Sequence, residues 1–272
     1  MEAEHSRLLT RAFVRLWLAT LGAFATFGMI VLALPLYTKD ELGRGSIGVG
    51  VAMGAGSLTS MLASPLSGRL GDRRGRRPLL LAGAVVMLVC YLALAFNPGL
   101  GPVVAIRLLA GAAEATFVVG AYTAVADIAP EARRGEAMSL VTLASYIGLT
   151  IGPVLADLVL GGHRFAAVWF VAAGLVFGSM TMIATFRETR PEAEEHAPPG
   201  WLPPRGALLP GLLVLLGLLG FGGFAAFAAI YARDLGIDRP GLVFALFGGV
   251  ISLVRAFGRR IPDTLGARRT LV

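Results

Sequence analysis

The sequence predicts an all-α polytopic membrane protein, and three observations carry that reading. Of its 272 residues 56% are hydrophobic, only 15% are charged, and apolar runs of 17–25 residues recur along the whole length. A soluble domain keeps about 25% charged and about 45–50% apolar residues, whereas about 20 apolar residues in succession cross a bilayer as a helix. Backbone groups in hydrocarbon must be satisfied within the segment, so each span is expected to be a helix and not an open strand. Net charge is +7, from 23 Arg and Lys39 against 17 acids. On a soluble chain that balance would suggest a nucleic-acid partner. Here the charge stands in short loops between apolar runs, so no nucleic-acid partner is expected.

The spans follow in order. The first, 13–36, comes after a polar dozen residues with no small-residue cleavage site, and reads as a retained signal anchor. The second, 46–66, carries Gly48, Gly50, Gly54 and Gly56, a small-residue surface suited to close helix packing. The third is 79–96, and the fourth, 102–126, holds Arg107 and Glu114 inside the apolar run. The fifth, 137–160, sets Ala144, Gly148, Gly152 and Ala156 at every fourth position, one smooth face to which Pro153 adds a local break. The sixth is 165–186, the seventh 207–231 and the eighth 241–258, with Arg255 placed to snorkel at its end. Several connections are under a dozen residues, so sequential helices are expected to be antiparallel neighbours.

Arginine sets the expected orientation. With the N-terminus cytoplasmic, inner loops hold 17 basic residues and outer loops five, Lys39, Arg44, Arg164, Arg233 and Arg239. The positive-inside rule then places both chain ends in the cytoplasm. Residues 187–206 (RETRPEAEEHAPPGWLPPRG) are long, acidic and Pro-rich, which suits a cytoplasmic linker. The alternative is an ordinary solvated loop. The expected organisation is a six-helix bundle over 1–186, the linker over 187–206, and the start of a second bundle over 207–272.

A repeat supports two bundles. Gly68 to Pro78 (GRLGDRRGRRP) and Gly258 to Arg269 (GRRIPDTLGARR) share Asp-x-x-Gly followed by a double Arg, and their acids, Asp72 and Asp263, stand 191 residues apart. That period, with a linker between copies, is the pattern of two parallel six-helix halves.

At these residues the sequence resembles the major facilitator superfamily of secondary transporters. Gly68, Asp72, Arg73, Gly75, Arg76 and Arg77 fit its signature Gly-x-x-x-Asp-Arg-x-Gly-Arg-Arg, in the connection where the family places it. Arg107 with Gly111 fits a second motif, with Ala110 where Gln is common. Gly148, Gly152 and Pro153 resemble the Gly-x-x-x-Gly-Pro-x-x-Gly-Gly motif of the drug–proton antiporter branch, although Ala156 and Asp157 replace the final glycines. The resemblance implies a major-facilitator-like fold of twelve helices, of which this chain would hold the six-helix N-terminal bundle and the first two helices of the second. The chain is therefore expected to be a fragment, truncated after the eighth helix; the alternative is a complete eight-helix protein. The resemblance also implies that Asp72 latches against the eleventh helix in the outward-closed state. It further implies that the small-residue face of span five meets the eighth helix, and that Arg107 takes part in proton transfer.

The residues themselves give further expectations. Gly68 and Gly75 permit a tight turn, and Asp72 can hold arginine side chains in fixed geometry or sit at a facing helix N-terminus; the bland reading is a solvated basic loop. Ionisable groups inside spans are costly to insert and are functional candidates by default. Glu114 lies about 18 Å into span four at about 1.5 Å per residue, near the midplane of a core of about 30 Å. Neutral when protonated and able to hold a cation when deprotonated, it is a proton-coupling candidate; a structural hydrogen bond is the alternative. Arg107 and Asp157 are expected at similar depth on adjacent helices, where they can pair and relay a proton towards Glu114, or pair for structure alone. Asp127 reads as a solvated or capping acid. Phe24, Phe27, Phe117, Tyr122, Tyr146, Phe221, Phe224 and Phe227 are candidates for an apolar cavity wall, with core or lipid contact the commoner fate.

No catalytic site is expected. Cys90, the single cysteine, excludes an intramolecular disulfide and a thiol metal site. No His-x-x-x-His pair, Gly-Lys-Ser/Thr loop or membrane-face carboxylate cluster is present, so neither metal nor cofactor is expected. The function these readings support is secondary active transport, with proton-coupled export of small amphiphilic molecules. The alternatives are an importer or sugar or metabolite carrier of the same fold, or a truncated remnant that does not transport. Expected partners are the lipid bilayer of a bacterial cytoplasmic membrane, a small-molecule substrate and protons, with the full-length parent a monomer.

Overall fold

The structure is a computed structural model that describes residues 8–161, 164–189 and 205–258, with side chains in the last segment described mainly over 220–251. Each expected span is a helix: α1 Arg11–Leu36, α2 Ser46–Arg74, α3 Arg76–Leu94, α4 Leu100–Ile128, α5 Arg134–Leu160, α6 Phe165–Ala184, α7 Arg205–Asp234 and α8 Gly241–Gly258. Among the described residues six of these, α1 to α6, are long and apolar enough to cross a membrane. The second copy of the repeat, most of the 187–206 linker and the Arg255 side chain lie outside the described residues.

Local chemistry sets the helix ends. Thr10 caps α1 by accepting the Phe13 N–H at 3.2 Å. Past Pro35 the helix loosens into a π turn over Tyr37–Glu41. Ala129, before Pro130, is extended and stops α4, and Gly161 at φ +32° ends α5. The family signature is less of a loop than expected. Gly68 lies in the interior of α2, which runs on to Arg74, so it makes no turn. The break is Gly75 alone, at φ +100°. Helix needs no apolar residue to continue, and arginines in a last turn complement the C-terminal partial charge.

Helices adjacent in sequence are mostly not the ones that pack. The main seams are α1 with α5 and α6, α4 with α2 and α3, and α3 with α6, whereas α4 meets α5 only slightly. This corrects the expectation of sequential neighbours: short connections fix antiparallel direction, while complementary small-residue faces choose the partner. A Cβ on Gly152 would strike the Ala25 carbonyl oxygen of α1, and one on Gly28 would come 2.7 Å from Pro153 Cδ. A Cβ on Gly111 would likewise strike the Gly56 carbonyl of α2. The Trp17 indole N–H donates to the Leu140 carbonyl at 2.8 Å, pinning the α1–α5 seam. Beneath the end opposite the Arg-rich connections, buried Tyr37 meets Phe165 and Trp169 edge to face, at centroid distances of 5.3 and 6.1 Å. From the second half, α8 packs on α5 and α7 on α1.

Candidate functional site

Four groupings result. The first is a buried charge pair. Arg107 and Glu114 stand seven residues apart on α4, 700° of helical turn and so nearly one above the other. The Arg107 Nη1 donates to Glu114 Oε1 at 2.8 Å, with side chains 6% and 16% exposed. Tyr91 of α3 donates to the same oxygen at 3.3 Å, while Gly56 of α2 leaves room for the guanidinium. Arg107 Nε is buried without a hydrogen-bond partner among the described residues. The expected Arg107–Asp157 pair is not formed, because α4 and α5 scarcely touch and Arg107 finds its counter-charge on its own helix.

Asp157 instead faces the second half. It accepts the backbone N–H of Gly241 at the start of α8, where an anion complements the helix dipole. A Cβ on Gly241 would lie 2.8 Å from Asp157 Cβ. Nearby, Lys39 Nζ reaches Asp234 Oδ1 at 2.7 Å and Arg233 Nη1 reaches Asp40 Oδ2 at 2.6 Å. These reciprocal pairs join the π turn after α1 to the end of α7, on the face opposite the Arg-rich connections. Counting Lys39 and Arg233 only as topology charges missed them. The available signal was the basic–acidic dipeptide that closes both helices.

The signature residues form the third grouping. Asp72 Oδ1 accepts from Arg76 Nη1 at 2.7 Å, one turn on, so it holds an arginine. The Arg76 Nε donates to Asp127 Oδ2 at 3.0 Å. Asp127, read from the sequence as a solvated or capping acid, is thus an ion-pair partner whose side chain is 17% exposed. The N-terminus of α3 is capped by Glu188, whose carboxylate accepts the Arg76 and Arg77 backbone N–H groups at 2.7 and 3.2 Å. Arg77 also donates to the Ala184 carbonyl at 2.7 Å, while Arg73 and Arg74 are exposed. Nothing local marked Glu188, which lies 112 residues from Arg76.

The small-residue face of α5 also differs from expectation. Gly148, Gly152 and Pro153 meet α1; α8 contacts the neighbouring strip through Thr150, Asp157 and the Pro153 carbonyl. A Cβ suits neither seam at its closest approach, and the two glycines turn towards the helix whose backbone comes nearest.

The fourth grouping is a cavity of about 430 Å³ between the halves. Phe24 of α1, Tyr122 of α4, Tyr146 of α5, Phe221 of α7 and Phe244 and Phe247 of α8 supply its rings. Among the described residues lining it, none is charged. Of the other expected aromatics, Phe117 is core, Phe27 packs on Phe24 at 5.0 Å and Phe224 backs the wall on Phe247 at 4.6 Å. Phe227 is half-exposed.

The class the fold and site define is a polytopic helical membrane protein with a buried ion pair and a cavity between its helices. A family model, the Major Facilitator Superfamily, matches residues 16–272, and the chain belongs to that family. It is 29% identical over 170 residues to multidrug resistance protein MdtG of Proteus mirabilis, an alignment covering 60% of this chain and 42% of the relative. It is 25% identical over 273 residues to the multi-drug resistance efflux pump PmrA of Streptococcus pneumoniae serotype 4, covering 94% of this chain and 68% of that one. Its fold is similar to a bacterial homologue of the human lysosomal transporter Spinster, with TM-score 0.73 and 15% identity over 94% of this chain and 63% of that one. The chain thus spans about two fifths of the first of these relatives.

Proposed function

We propose that the protein exports small amphiphilic molecules across a bacterial cytoplasmic membrane in exchange for protons, its Arg-rich face inside. The observation that carries this is the separation of an uncharged aromatic cavity from a buried ion pair on the same helix. Glu114 precedes Tyr122 by eight residues, about 12 Å along α4. The relatives named for multidrug resistance favour export. In this reading the pairs Lys39–Asp234 and Arg233–Asp40 clasp the outer end.

In this reading a proton reaching Glu114 removes the counter-charge of Arg107. A buried charge that loses its partner costs about 3–5 kcal/mol, and the Arg107 Nε already lacks an acceptor among the described residues. The strain falls on the Gly56–Gly111 approach of α2 and α4, where the guanidinium is packed. Relief by a shift of those helices links protonation to the change of access. Asp157 acts elsewhere, tying α5 to α8.

The test is pH-gradient-driven accumulation of a fluorescent amphiphile in inside-out vesicles from cells expressing the gene. Glu114→Gln is expected to cut accumulation at least tenfold while leaving substrate binding to the purified protein unchanged. Wild-type accumulation by Glu114→Gln would remove Glu114 from coupling.

A further inference from the structure

In the orientation proposed above, on which this inference rests, Asp157 stands at the outer end of the α5–α8 seam. The two helices touch closely at two levels. A Cβ on Gly241 of α8 would lie 3.0 Å from the Pro153 carbonyl oxygen and 3.1 Å from Asp157 Oδ2, and one on Gly248 would strike the Thr150 hydroxyl. Seven residues separate the two contacts on each helix, so the seam is antiparallel and its levels are about 10 Å apart. The inner contact is neutral, a hydroxyl against a glycine. The outer one is charged. The Leu242 and Val243 N–H groups are used within the turn, by the Arg239 and Pro240 carbonyls at 3.1 Å each, while the Gly241 N–H goes to the Asp157 carboxylate. No acid stands in the first turn of α8, so the anion that its N-terminal dipole favours comes from the other half.

The charged groups at this end are Lys39, Asp40 and Glu41 after α1, Arg44 before α2, Arg164 before α6, Arg233 and Asp234 closing α7, and Asp238 and Arg239 before α8. Among the described residues, those that act on Asp157 are cations, Arg233 and Arg239; Arg233 also holds Asp40, and Lys39 holds Asp234. We propose that Asp157 makes closure of the outer end sensitive to pH, its protonation parting α8 from α5 there while the Thr150–Gly248 contact serves as the pivot. Ionised, Asp157 makes a charge-assisted hydrogen bond to Gly241 and is attracted by both arginines. Protonated, it offers at most a neutral acceptor, and the dipole and the arginines no longer meet a net charge. The residue is half-buried, so water at the outer face reaches it. A proton that binds better to the parted state shifts the population towards that state, and outer acid therefore raises the share of molecules open to that side. The proton comes from outer water and returns to it on closure, so the site adds nothing to the count carried by Glu114.

The test is the distance between spin labels on Ile47→Cys and Leu242→Cys, exposed neutral positions of the two halves, in protein purified into nanodiscs and measured at neutral and mildly acid pH. Glu114→Gln and Cys90→Ala are present throughout, removing the coupling carboxylate and the native thiol. With Asp157 intact, acid is expected to raise the ratio of long to short distances about two- to fivefold, the worth of an anion at a helix N-terminus. Asp157→Asn keeps the shape of the side chain and Asp157→Gly removes it; both are expected to abolish the response, while Asp40 and Asp234 titrate alike in all three proteins. A response that survives in both variants, or none with Asp157 intact, overturns the inference. Neither result touches the transport reading, which is decided by Glu114→Gln in vesicles and not by a protein in which Glu114 is already replaced.

Discussion

Gly75 and Glu188 show how much one position can decide. At φ +100° the backbone enters a region that side chains rarely adopt, and a Cβ there would lie 2.5 Å from the Glu188 carboxylate. Gly75→Ala is therefore expected to destabilise the protein by about 1–3 kcal/mol, read as a lower unfolding midpoint in detergent, with Glu188→Gln milder because an amide oxygen still accepts one N–H. An unchanged midpoint in Gly75→Ala would show that the carboxylate does not hold the turn. At this scale the sequence was informative about residue type and poor about partners. Glu114 and Arg107 stood out because ionisable groups in a span are rare, yet their bond to each other was hidden by their spacing. Seven residues reads as distant in sequence and as nearly superposed on a helix. Asp157 and Asp127 were visible as acids, but their partners, Gly241 and Arg76, come from other helices.

The helices themselves were legible, since a run of apolar residues bounded by charge admits little else in a bilayer. Their packing was not, because the small residues that let two backbones approach do not say which backbone. Gly152 and Gly54 make the comparison concrete. The first sits against the Ala25 carbonyl of α1, whereas nothing lies within 4 Å of a Cβ on the second. Gly152→Leu is expected to cost about 1–3 kcal/mol or more through overpacking, while Gly54→Ala should stay within about 0.5 kcal/mol of the parent. Thermal unfolding of both variants side by side checks this; equal midpoints would mean that the α1–α5 seam is not the close one. Where α2 ends was also hidden. The apolar run stops near residue 66 but the helix continues to Arg74, carrying Asp72 and the arginines on a rigid rod.

At the scale of the molecule, the described residues of the two halves meet along the α5–α8 and α1–α7 seams, around an apolar cavity and through two ion pairs. Partly exposed ion pairs each contribute about 0.2–1 kcal/mol, so the clasp biases access without locking it. Asp40→Asn with Asp234→Asn is expected to open the outer end, lengthening the distance between spin labels at positions 44 and 238. An unchanged distance distribution would assign closure to the cavity walls alone. The aromatic content of the cavity was half legible: Phe24, Tyr122, Tyr146 and Phe221 were candidates by type, while Phe244 and Phe247 were overlooked at the start of a short span. The clasp also has a symmetry. Lys39-Asp40 closes α1 and Arg233-Asp234 closes α7, the corresponding helix of the other half, and each base meets the other's acid. That is the contact of an isologous dimer, in which one patch binds its own copy. Removing either dipeptide therefore takes away both bonds at once, since each pair draws its base from one half and its acid from the other.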